Sequence, residues 1–237
     1  MNRTHKILAS VLTAVGLALS LGPGPASGQT SAAVVGAYVP PARHVFVVNI
    51  ENRGYDETWG PTSKAPYLAK TLRSQGVLLN TYYGTAHNSQ PNYIAQISGQ
   101  GPNPEMQADC QRFSNFTRVG TADPGQLRGS VCVFPAGTPT LVAQLHAKGL
   151  RWKGYPGDVG STCRHPAVGA QDDTQQAKVG DQYATRHNPF VYFHSIIDRP
   201  AYCKANVVPL WRMANDLKTV ASTPSLSYIT PDLCSDG

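Results

Sequence analysis

His44-Val45-Phe46-Val47-Val48-Asn49-Ile50 runs straight into Glu51-Asn52-Arg53-Gly54-Tyr55-Asp56, and this junction decides the fold. A continuous apolar, β-branched run keeps no polar face for water, so it predicts a central strand covered on both sides, as in a parallel sheet. The abrupt change to polar residues marks the strand's carboxyl end, where ligands sit in open α/β sheets. Downstream the pattern alternates. Ala65–Gln75 places Leu68 and Leu72 at helical spacing and stops at Gly76, Val77–Tyr83 reads as a second strand, and Asn92–Ser98 reads as a helix behind Pro91. Thr140–Lys148, closed by Gly149, reads as a helix and Leu150–Tyr155 as a strand. Val207–Val220 reads as a helix behind Pro209, and Leu226–Thr230 as a last strand. Residues 99–138 concentrate Gly, Pro and Cys and predict a long stapled loop region with a short strand at Val131–Phe134, while 156–189 read as polar and irregular. Strands alternating with helices give an α/β class with a doubly wound, mainly parallel sheet.

Composition narrows the function. The 237 residues suit one α/β domain, and with 14% charged residues, 22 Gly and 19 Pro the chain is loop-rich. Collagen, coiled coil and a polytopic membrane protein are excluded. The formal net charge is +6, of which Arg3 and Lys6 lie in the amino-terminal segment. The remaining excess has no Lys/Arg cluster, so it reads as a solubility property and no nucleic-acid binding is expected.

That amino-terminal segment has the form of an export signal. Arg3, His5 and Lys6 precede an apolar stretch from Ile7 to Leu21, then Gly22-Pro23-Gly24-Pro25 and the small residues Ala26-Ser27-Gly28. A basic start, an apolar middle and a small-residue site describe a secretory signal peptide over 1–28, with cleavage before Gln29. The apolar stretch is short for a membrane span. Residues 29–42 read as a flexible lead-in and 43–237 as the working domain, placed outside the cell or in the periplasm. Cys110, Cys132, Cys163, Cys203 and Cys234 all follow the signal, and their wide spacing matches no zinc pattern. They are read as disulfide partners. Among several connectivities the sequence-adjacent one, Cys110–Cys132 with Cys163–Cys203, is adopted, leaving Cys234 over.

Three polar groups follow the expected strands: Glu51-Asn52, His87-Asn88-Ser89, and Asp232 with Asp236. In a parallel sheet these ends share one edge and converge. Carboxylate, amide and hydroxyl oxygens form a set suited to a divalent metal ion. Ser89 also stands where a helix begins, with free N–H groups for a phosphate and a hydroxyl a metal would acidify. The plainer alternative makes Glu51 loop surface, Ser89 an N-cap and the two aspartates a turn. Among catalytic motifs, Gly-x-Ser-x-Gly is missing, which disfavours a serine esterase on an α/β-hydrolase fold.

Four ordered blocks carry a resemblance. Val47-Val48-Asn49-Ile50-Glu51-Asn52-Arg53-Gly54-Tyr55-Asp56, ending at Trp59-Gly60, resembles the opening motif of the secreted phosphoesterases that include bacterial acid phosphatases and phosphatidylcholine-type phospholipases C. His87-Asn88-Ser89-Gln90-Pro91-Asn92-Tyr93 through Gly99 is similar to that family's second block and to the nucleophile segment of nucleotide pyrophosphatase/phosphodiesterases. Arg186-His187-Asn188-Pro189-Phe190 and Tyr228-Ile229-Thr230-Pro231-Asp232 resemble two more. The resemblance implies an alkaline-phosphatase-like fold and a metal-dependent phosphoesterase working through a phosphoserine. Its substrate would be a phosphate-ester small molecule or a phospholipid headgroup. It implies Ser89 as nucleophile and metal contact, Glu51, Asn52 and Asp232 as metal ligands, and Asn92 as a donor to phosphate oxygen. His187 would hold phosphate or protonate the leaving oxygen; the other reading is a loop histidine fixed by a hydrogen bond. Asp236 is a weaker candidate. Family members continue past the corresponding Asp-Gly with a His, commonly a Cys, and a later strand of acidic ligands, which implies that these residues are the amino-terminal part of a longer domain and gives Cys234 its partner there. The competing reading is a catalytically inert secreted fragment or binding module.

Overall fold

In the computed structural model, which describes residues 41–237, the elements run in this order. β1 (Val45–Val48) leads to α1 (Tyr55–Trp59), a π-helical segment (Tyr67–Leu72), α2 (Ser89–Ser98) and α3 (Pro104–Gln107). Next come β2 (Arg112–Phe113), β3 (Thr117–Ala122), β4 (Gln126–Ser130), α4 (Leu141–Ala147), β5 (Trp152–Pro156) and β6 (Ala170–Gln171). Two 3₁₀ turns (Thr185–His187 and Pro189–Tyr192) precede α5 (His194–Ile197) and α6 (Pro200–Asn206), and a third (Leu210–Arg212) precedes α7 (Met213–Asp216) and β7 (Leu226–Thr230). The signal peptide expected over 1–28 lies outside the described residues, as does the lead-in apart from its last two positions.

The main sheet is parallel, with strand order β1-β7-β5. β1 meets β7 from Val45↔Leu226 to Val48↔Ile229, and β5 meets β7 from Trp152↔Leu226 to Pro156↔Thr230. The α/β class and the parallel pairing therefore stand. β1 differs from expectation: it is an edge strand, with Val45, Phe46 and Val48 exposed by 47, 47 and 59% and only Val47 packed on the core. A run of apolar residues carries no record of which neighbour is present, so the central position belongs to β7 instead.

The core lies between α2, β5, β7 and the Pro189–Tyr192 turn. Tyr93, Ile94 and Ile97 of α2 are buried against Trp152, Phe190, Leu226 and Tyr228. Phe190 packs 4.6 Å from the Trp152 ring and edge-on to Tyr228. This approach requires Gly154, since a β-carbon there would stand 2.5 Å from the Phe190 ring. Phe116, Phe134 and Phe193 stack at 4.8 and 5.3 Å beneath the antiparallel hairpin β3–β4.

Several expected elements are altered. The helix expected over Ala65–Gln75 is present but π-wound at its centre. Val77–Tyr83 forms no strand: Val77, Leu79, Tyr82 and Tyr83 are among the exposed apolar residues, and no other described strand pairs with them. The expected strand at Val131–Phe134 is reduced to isolated bridges, Asn115↔Val133 and Phe134↔Phe193, and the hairpin just before it was not read from the sequence. Val207–Val220 breaks into a 3₁₀ turn and the short α7. α4 and β7 match closely; Thr140 caps α4 by accepting the Ala143 N–H at 3.1 Å, and Gly149 closes the turn with φ 68°.

Candidate active site

Glu51 is delivered by the end of β1. Asn49 extends the pairing, its backbone N–H and its side-chain Nδ2 both donating to the Ile229 carbonyl at 3.0 and 3.2 Å. The chain then turns at Asn52, whose φ of 56° lies in the left-handed region that asparagine tolerates. Between them, the Glu51 side chain reaches the start of α2.

There it meets two hydroxyl donors and an imidazole. Ser89 is the first residue of α2 and Tyr93 stands one turn further on, so both occupy one face of the helix. The Ser89 hydroxyl donates to Glu51 Oε2 at 2.7 Å, and the Tyr93 hydroxyl donates to Oε1. Burial, and secondarily the Glu51 charge, push the Tyr93 phenol far above its ordinary value, so it remains a donor at any working pH. His187 Nε2 lies 3.3 Å from Oε1, and the ring is 1% exposed. Its Nδ1 faces the Pro231 carbonyl at 3.0 Å; a carbonyl only accepts, so Nδ1 carries the proton. Nε2 then holds a second proton only as imidazolium, and it is a buried polar atom with no hydrogen-bond partner. The ring sits 5.6 Å from that of Tyr93.

Around this carboxylate is a cleft of about 390 Å³ lined by Asn49 to Arg53, Gly84, His87, Ser89, Asn92, Tyr93 and Gln96. It adjoins a hollow of about 470 Å³ that shares Ile50 and Arg53 and is completed by Glu57, Thr58, Thr62, Lys64, Ala65 and Leu68. The sequence-expected residues therefore divide. Glu51, Asn52, Ser89 and Asn92 line one cleft, and His187 reaches Glu51 from beneath. Asp232 lines a third hollow with Asp158, Gln182 and Trp211, where its Oδ1 accepts the Cys234 N–H at 3.0 Å, while the carbonyl of its neighbour Pro231 faces His187. Of the two terminal aspartates it is Asp236 whose charge acts on the Tyr93 hydroxyl.

Two further details qualify the expected chemistry. The Asn92 amide is committed to the preceding loop: Oδ1 accepts from the Thr85 and Ala86 N–H groups, and Nδ2 donates to the Ala86 and Asn88 carbonyls. The helix start is less open than expected as well. Gln90 N–H donates to Asp109 Oδ1 at 2.9 Å and Pro91 has no N–H, which leaves Ser89 N–H as the donor at the first three positions. Asn88 is the N-cap residue, so the alternative of Ser89 as N-cap is not what forms. Burial pushes the Asp109 carboxyl up, against the lowering effects of Gln90 N–H and Arg186. Tyr93, Asp109 and Arg186 carried no role in the sequence reading. The four-residue step from Ser89 could have found Tyr93, whereas Asp109 has no signal beyond its neighbour Cys110.

As a metal site the donor set fits in part. Glu51, Asn52 and Ser89 offer hard oxygen ligands on one cleft, but no group of three His, Cys, Asp or Glu side chains with metal-holding geometry occurs among the described residues.

The chain is similar to several proteins of described activity. The chain is 24% identical over 197 residues to a protein of Kluyveromyces lactis described as a probable acid phosphatase, with 82% of this chain and 38% of the relative covered. It is 27% identical over 190 residues to a phosphate-repressible acid phosphatase of Penicillium chrysogenum, covering 79% of this chain and 37% of that one. It is 26% identical over 198 residues to a phosphatidylinositol-3-phosphatase of Mycobacterium tuberculosis, covering 83% and 53%. The chain thus spans a little over a third of the fungal relatives' length. No solved structure matches it significantly. The model of the Phosphoesterase family matches residues 62–237, which takes in Ser89, Asn92, His187 and Asp232 and leaves Glu51 just outside. With most of its length matched, the chain belongs to the phosphoesterase family.

Proposed function

We propose that the protein is a secreted phosphoesterase of the acid-phosphatase type, with Ser89 as the nucleophile, on an alkaline-phosphatase-like, doubly wound sheet. The observation that carries this reading is the 2.7 Å hydrogen bond from the Ser89 hydroxyl to Glu51 Oε2 at the start of a helix. Nucleophile and proton acceptor are already within transfer distance. Ser89 Oγ would attack phosphorus as its proton passes to Glu51 and the ester oxygen departs with the alcohol. Water would then attack the phosphoserine, releasing phosphate and restoring the hydroxyl. The Tyr93 hydroxyl fixes the second Glu51 oxygen and keeps it from turning away. His187 would protonate the leaving oxygen as imidazolium, or hold a phosphate oxygen. Asn92 would reach phosphate by exchanging one of its two carbonyl acceptors.

A divalent cation held by Glu51, Asn52 and Ser89 would acidify the serine hydroxyl and neutralise charge developing on the phosphoryl oxygens. The organic part of the ester would lie toward the adjoining hollow of Ile50, Ala65 and Leu68, which accommodates a small aryl ester or a phospholipid headgroup with its glycerol. Export through residues 1–28 accords with the two disulfides.

One observation favours the second reading, an inert secreted binding module: Asp232 lines a separate hollow. The test is turnover of an aryl phosphate with divalent cations supplied. Ser89→Ala should lower it by a factor of at least about 10³. Near-normal turnover by that variant removes Ser89 from the chemistry, and no turnover by the unmodified protein favours the binding module.

A further inference from the structure

The loop stapled by Cys110–Cys132 sends one carboxylate into the molecule, and that carboxylate ends at the nucleophile helix. Asp109 Oδ1 accepts the N–H of Gln90, the residue after Ser89, at 2.9 Å. Its Oδ2 lies 3.8 Å from Arg186 Nε, and both side chains are about 15% exposed. Arg186 directly precedes His187 in the same 3₁₀ turn, so one carboxylate bears on both residues flanking Glu51. The loop is tied at further points. Asn88 Nδ2 donates to the Gln107 carbonyl at 2.8 Å, Gln175 Nε2 to the Asp109 carbonyl at 3.0 Å, and Arg186 Nη1 to the Gln175 carbonyl at 3.1 Å. Asp109 and Cys110 both adopt left-handed backbone, with φ of 56° and 51°. Non-glycine residues hold that conformation together only where surrounding structure supports it, and here Asp109 N–H donates to the Met106 carbonyl and Cys110 N–H to the Glu105 carbonyl, next to the buried disulfide.

A carboxylate beside a pocket for an anionic ester is electrostatically unfavourable in itself. Attraction of the substrate therefore cannot be its purpose, and Arg186 offsets its charge. What it does provide is a fixed endpoint for a helix N–H that would otherwise have no partner. We infer that Asp109 is a positioning residue for Ser89: through the Gln90 N–H it sets the first turn of α2, and with it the direction of the Ser89 hydroxyl toward Glu51 and the bound phosphoryl group. The inference rests on the phosphoesterase reading of the same cleft.

The experiment measures orthovanadate binding by calorimetry to the full chain and to Asp109→Gly and Asp109→Asn, with magnesium, manganese, calcium and zinc supplied in turn. Vanadate takes the five-coordinate shape of phosphoryl transfer, so its affinity reports alignment of the nucleophile. A merely destabilised protein binds fewer equivalents with unchanged affinity. Glycine suits the left-handed φ and removes the acceptor; asparagine keeps the Oδ1 acceptor and removes the charge. Positioning predicts affinity weakened about 10- to 100-fold in Asp109→Gly and within about threefold of the unmodified protein in Asp109→Asn. Equal or tighter binding by Asp109→Gly overturns the inference. If that variant does not fold, a loss of about tenfold or more in Asp109→Asn overturns it. No vanadate binding by the unmodified chain with any of the four ions overturns instead the phosphoesterase reading beneath it.

Discussion

Glu51 is the residue on which the site turns, because two hydroxyls and an imidazole converge on one carboxylate. A lone carboxylate with one oxygen free would rotate about its last bond; a hydroxyl donating to each oxygen fixes it. Tyr93 is the donor that cannot reverse its role, since its phenol stays protonated. Removing that hydroxyl in Tyr93→Phe takes away a hydrogen bond to a charged group, a contribution of about 1.5–3 kcal/mol. Turnover should therefore fall by about tenfold or more with the fold retained, measured as kcat on an aryl phosphate beside a thermal melt. Unchanged kcat would remove Tyr93 from the site. At this scale the sequence was informative where chemistry and position coincide. Glu51, Asn52 and Ser89 were legible as polar residues after apolar runs. Asp232 was chosen by the same rule and lies in another hollow, because the direction of a side chain after a strand depends on the turn that follows, here set by the Cys234 N–H.

At the scale of elements, α2 and β7 were legible and β1 only in part. α2 is announced by Pro91, although it begins at Ser89, with Pro91 inside its first turn, and not behind Pro91 at Asn92; Gly99 closes it at φ 69°. Val77–Tyr83 has a strand's composition, yet pairing needs a neighbour, and the sequence of one segment cannot supply it. The irregular stretch 156–189 is instead held by side chains. Arg164 forks onto Asp181 at 2.7 and 2.6 Å and lies over the Tyr183 ring. Hydrogen bonding to Arg164 holds the Asp181 carboxyl below the usual aspartate range. A depressed acid stabilises the fold above its unfolded value, near pH 3.9, and that stability is lost as pH falls through the lower folded value. Asp181→Asn should thus cost about 1 kcal/mol near pH 7, discounted for partial exposure, and its denaturation curve should merge with that of the unmodified protein below the ordinary aspartate range. A gap that persists in acid would assign the loss to packing instead.

Over the whole molecule, two disulfides close loops separated by 22 and 40 residues. Chain-entropy estimates give about 3 and about 4 kcal/mol for them. Removing Cys163–Cys203 by paired serine substitution should lower stability by an amount of that order in urea titrations; a change under about 1 kcal/mol would contradict it. This pairing was the sequence-adjacent one, and Cys234 remains free and exposed. The central claim concerns covalent chemistry at one atom, so its most direct measurement is a rapid acid quench of the protein with a ³²P-labelled aryl phosphate and divalent cation, followed by peptide mapping. The account predicts an acid-stable phosphoserine at Ser89 that is absent from Ser89→Ala. Turnover with no phosphoenzyme, or label on any other residue, would contradict it.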